Sequence, residues 1–146
     1  AMTPELDFIK AEATRKLPAD VALFRYARFV YANLSTNPNV LGSPLQFPET
    51  SGEDFPEFWT AYDRIYSTLK GHIRAGMRDR LFESVQVETA AEQLFALLEA
   101  PLGRPRRSLA HTEKAAQQAA TLTLKALLRD PKRNDAVISQ AGNLEI

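Results

Sequence analysis

The side chains with most to offer a reaction are two histidines, His72 and His111, and the arginines just ahead of the second. A carboxylate-bridged metal pair in a helical protein needs Glu-x-x-His on facing helices. The residues three before His72 and His111 are Leu69 and Ser108, so that pattern is missing. The chain has no cysteine, which excludes thiolate metal sites and disulfides. Glu88 and Glu92 lie one turn apart and read as a solvated edge. No Gly-x-x-x-x-Gly-Lys-Ser/Thr or Gly-x-Gly-x-x-Gly pattern is present to cradle a phosphate, and no serine stands beside a histidine base. With these ligand types, neither a metal nor a cofactor is expected.

The electrostatics of Arg104-Pro105-Arg106-Arg107 are more informative. A helix N-terminus carries about half a positive charge and favours acids nearby. Ser108 reads as a helix cap, yet three arginines precede it and Glu113 is the first acid to follow. A local rule broken without compensation is a place to look for function. Free N–H groups, the positive dipole end and guanidinium forks together suit a phosphate or carboxylate. The anion- or partner-binding residues chosen this way are Arg104, Arg106 and Arg107, with Lys70 and Arg74. Lys70, Arg74 and Arg78 recur one turn apart on a long helix upstream. On a shared side, the two groups make a basic surface able to follow a nucleic-acid backbone. Interleaved aromatics for base stacking are not evident there. The acidic Glu49, Glu53, Asp54 and Glu57 offer the arginines another partner, across a subunit boundary.

The segment Arg106-Arg107-Ser108-Leu109-Ala110-His111 resembles the Arg-x4–6-His motif of HEPN ribonucleases, which are also small helical bundles. The resemblance covers these residues only and implies RNA cleavage depending on Arg106 and His111. An acid–base pair needs a shared rigid placement. Arg106 precedes the cap Ser108 and follows Pro105, off the helix that carries His111. On its own residues, His111 is a first-turn polar side chain. His72, beside Gly71, reads as a surface or satisfied side chain.

Helices must position all of these groups. From Asp54 to Phe82, apolar residues at Phe58, Trp59, Tyr62, Ile65, Leu69, Ile73 and Met77 recur in steps of three and four. This stretch holds the only Trp and reads as the central helix, with Phe58, Trp59, Tyr62, Leu69 and Ile73 inside. Gly71 and Gly76 each weaken it by about 1 kcal/mol relative to Ala, and a kink is expected near them. Upstream, Thr3-Pro4-Glu5 opens a helix running to about Leu17. A second, Ala19 to about Leu34, is apolar nearly all round, with only Arg25 and Arg28 interrupting. Such a helix is either central or covered by another molecule. Residues 35–53, with Pro38, Gly42, Pro44, Pro48 and Gly52, form a long loop. Val40, Leu41, Leu45 and Phe47 give it something to pack, as an ordered strap. Thr89 to Glu92 reads as a capping box for a short fourth helix. Ser108 caps a fifth, to about Arg129, with a small-residue side at Ala115, Ala116, Ala119 and Ala120 and larger Leu122, Leu124, Leu127 and Leu128. Asp130-Pro131 starts a sixth, ending at Gly142.

The expected fold is therefore an all-α, single-domain bundle over residues 1–146. It has about six helices, four longer and two shorter, and a long proline-rich loop after the second. No run approaches the roughly 18 apolar residues of a membrane span. Ala-Met-Thr-Pro-Glu is unlike a signal peptide, so a cytoplasmic location is expected, and Ala1 reads as a cloning scar. Net charge is zero, but residues 1–100 carry 10 Lys+Arg against 14 Asp+Glu, and residues 101–146 carry 8 against 4. Poles of about −4 and +4 suit pairing between subunits or with an acidic partner. The function expected is a non-catalytic interaction protein, an adaptor or assembly subunit, bound to a protein partner or to its own copy. A nucleic-acid-binding accessory subunit is the alternative.

Overall fold

A helix that is apolar nearly all round must be covered on every side, and the second helix is. The computed structural model describes residues 4–36, 56–102, 104 and 107–144, with backbone alone at 56–58. Among them are six helices: α1 (Pro4–Ala13), α2 (Ala19–Thr36), α3 (Pro56–Arg78), α4 (Val87–Leu98), α5 (Leu109–Leu127) and α6 (Arg133–Asn143). They share one core, and the fold is all-α. Helix α2 packs against all five others. The central helix is thus α2, not α3 as its aromatic content suggested. The reason is the distribution of apolar residues around each helix. Helix α3 has one inward stripe, Ile65, Leu69 and Ile73, while Trp59, Tyr62 and Tyr66 are only half-buried. A one-faced helix belongs at the periphery.

Helix α5 lays Ala116, Ala119 and Ala120, all buried, on the side facing the core. Their small size lets α5 approach α2 closely. Leu122, expected to pack, is 49% exposed. Two residues from Leu124, it falls on the opposite side of a 3.6-residue turn.

Helix α3 continues unbroken through both glycines and ends at Arg78, short of Phe82. The chain turns at Arg80, whose φ is +60°. Leu81 N–H donates to Gly76 O (2.9 Å) and Arg80 N–H to Met77 O (3.1 Å), the pairing of a Schellman C-cap. Phe82 then folds back over Gly76, where a Cβ would collide with its ring. Phe82 also forms an isolated antiparallel bridge with Leu128.

The remaining boundaries move for local reasons. Helix α1 stops at Ala13, not Leu17, because Lys16 takes a positive φ of 51° and reverses the chain. Helix α4 starts at Val87, two residues before the expected box at Thr89, and its N-cap Gln86 makes no side-chain cap bond. Tyr66 O–H donates to Glu88 O (3.0 Å), and Val87 packs against the core. Asp130 does cap a turn, accepting from Lys132 N–H (3.0 Å), but that turn is of the tight i→i+3 kind and α6 begins only at Arg133. Of the expected strap, residues 37–53 lie outside the described residues, as do Arg106 and the side chain of Phe58.

Candidate functional site

Helices α2 and α5 run antiparallel, since Arg28 Nη1 donates to Gln117 Oε1 (3.4 Å) while Tyr31 and Ser35, later in α2, share a groove with His111 and Thr112, earlier in α5. The last turns of α2 therefore lie beside the first turns of α5. There Tyr31 and Ser35 of α2, Arg104 and Arg107 of the preceding linker, and His111 and Thr112 of α5 line a groove of about 290 Å³. No carboxylate lines it among the described residues. Arg104 and Arg107 are exposed and have no ion-pair partner there. Arg25, Arg64, Arg74 and Arg133, in contrast, are each paired with a carboxylate. Ser108 caps α5 as the sequence suggests, accepting from His111 N–H at 3.2 Å. The first turn of α5 holds no acid, so nothing on the helix itself offsets its positive end.

The other two selected cations lie elsewhere. Lys70 Nζ sits 4.4 Å from the centre of the Tyr66 ring, and Arg74 Nη2 lies 3.3 Å from Glu88 Oε1. Helices α3 and α4 are antiparallel, since Arg74 meets the start of α4 while Tyr62 stacks on Phe95 near its end (4.6 Å). The 12 residues of α4 span about 18 Å. That length stands between Arg74 and the linker that carries Arg104. The fold thus gathers Arg104, Arg107 and His111 and leaves Lys70 and Arg74 outside the groove, Arg74 about the length of α4 away. Arg106 lies outside the described residues.

One contribution to the groove is not legible in the sequence. Tyr31 and Ser35 stand some seventy residues before the arginines and enter only through antiparallel packing. His72 lies outside the groove, largely buried between α1, α2 and α3, with its ring 5.5 Å from that of Tyr26. Burial lowers its pKa, against the smaller opposing pull of Glu12, so the imidazole is neutral near pH 7.

Among the described residues no group of three or more His, Asp or Glu is placed to hold a metal ion. No described helix is long and apolar enough to cross a membrane. No family model, no curated protein and no solved structure matches this chain.

Proposed function

We propose that this chain is a non-catalytic interaction module that holds an acidic group of a protein partner in the groove at the start of α5. The observation that supports this is the pair Arg104 and Arg107, both without a carboxylate, in a concave site with His111 and no acid. Guanidinium forks bind carboxylates bidentately, and a helix N-terminus adds to the attraction. A protein partner is favoured over nucleic acid by the interruption of the basic track. Lys70 and Arg74 are engaged with Tyr66 and Glu88 away from the groove, so they do not extend it along a phosphate backbone.

The test is fluorescence anisotropy with labelled hexaglutamate and a labelled single-stranded oligonucleotide, at low and moderate salt. The peptide is expected to bind, and Arg104→Glu with Arg107→Glu to weaken it by about tenfold or more, the scale of one charge-assisted hydrogen bond. Equal binding by the double variant would overturn the assignment. Oligonucleotide binding with a steep salt dependence would replace the protein partner with nucleic acid. RNA cleavage abolished by His111→Ala would replace both readings with a nuclease.

A further inference from the structure

A second concave site lies on another face and does not depend on the groove. Helix α1 spans α2 and α3 and is fixed to them by two polar ties. Glu5 accepts from Tyr26 O–H (3.0 Å) and Arg64 Nε (2.8 Å), and Glu12 is held by Arg25 (2.6 Å). Beneath it is a cleft of about 460 Å³, within the range of small-molecule sites. Phe8, Ile9, Leu17 and Ala75 supply apolar walls. The charged side chains at its rim, Lys16, Arg78 and Asp79, are exposed.

Hydrogen-bonding capacity inside this cleft is almost fully used. Tyr26 O–H donates to Glu5, Thr68 Oγ1 donates to Arg64 O (2.7 Å), and Glu12 is taken up by Arg25. His72 is the exception. Its ring nitrogens have no hydrogen-bond partner, and neither is among the sealed polar atoms, so they face accessible space. A neutral imidazole offers one donor and one acceptor.

An interior helix glycine costs about 1 kcal/mol relative to alanine. Gly76 has a steric reason, the Phe82 ring lying on it, but a Cβ at Gly71 would meet nothing within 4 Å. Gly71 lines the cleft next to His72 and is itself exposed, so the cleft is open on that side.

We propose that this cleft binds a small phenol, its ring against Phe8, Ile9 and Leu17 and its hydroxyl paired with His72. A hydroxyl both donates and accepts, as neutral imidazole requires, and an aromatic ring suits the walls. A carboxylate or ammonium would have to give up its hydration beside an imidazole that is itself kept uncharged.

The experiment is a two-dimensional amide NMR titration of the full chain with p-cresol and with toluene, which lacks the hydroxyl. Shifts are expected in α1, around Tyr26 and from Thr68 to Ala75, with p-cresol binding about tenfold more tightly than toluene. The preference disappears in His72→Phe. No shifts at the solubility limit of p-cresol, equal binding of toluene, or an unchanged preference for p-cresol in a folded His72→Phe protein would each overturn the proposal.

Discussion

The two histidines differ only in where the fold sets them. His111 is exposed in the first turn of α5, its backbone N–H capped by Ser108. His72 lies under α1, and burial favours its uncharged form. Folding stability follows from that difference in proton affinity. In the unfolded chain His72 takes a proton as the pH drops below about 6.5, whereas in the folded protein it resists until a lower pH. The unfolded state therefore binds more protons in that window, and stability is lost as the pH falls through it. Above about 6.5 both states are neutral and nothing is lost. Urea unfolding measured across this range should show a decline that His72→Gln removes. An identical decline in wild type and His72→Gln would show that the cleft does not disfavour the charged ring. Nothing in the sequence around Gly71-His72 conveys this, because the burial comes from α1, some sixty residues earlier.

Helices were the most legible elements, since their signal is local. The 3.6-residue period of α3, the small-residue side of α5 and the Ser108 cap all appear where the residues put them. Errors collected at the ends, where a side chain from another helix takes part. Thr89 has the composition of a capping box, yet packing of Val87 and the Tyr66 bond to Glu88 O extend α4 backward past it. The end of α3 shows the same interplay and gives an opposed pair of expectations. Arg80 sits at a left-handed position where a Cβ is unfavourable, so Arg80→Gly should be neutral or stabilise by up to about 1 kcal/mol. Gly76→Ala gains helix propensity of the same size but drives a methyl into the Phe82 ring, which is fully buried and joined to Leu128. Overpacking of this kind costs about 1–3 kcal/mol, more than propensity returns. Thermal melts should move in opposite directions for the two variants. A higher melting temperature for Gly76→Ala would mean that Phe82 can move aside at little cost.

Across the whole molecule, helices are tied to α2 by charges as well as by apolar area, and this level was the least legible. Opposite charges in a sequence do not reveal which pairs meet. Arg25 and Arg28 looked like interruptions of an apolar helix, yet Arg25 is only 6% exposed and joins α1 through Glu12 to the end of α6 through Ala141 O (3.3 Å). Asp20, wholly buried in the first turn of α2, accepts from Arg133 Nε at 2.7 Å and so holds the start of α6. The two members of this pair are not equivalent. Arg133 is 37% exposed and can turn to water if its partner goes, whereas Asp20 has no solvent to turn to. Removing one partner of a buried pair costs about 3–5 kcal/mol when the other is left charged and unpaired. Arg133→Ala should approach that range, and Asp20→Asn should cost clearly less, because an amide carries no charge and can still bond to the guanidinium. Replacing both should recover part of the Arg133→Ala loss, with a coupling measurable by a double-mutant cycle in urea. Equal losses for the two single variants would show that water reaches Asp20 once Arg133 is gone, and that apolar packing alone holds α6 against α2.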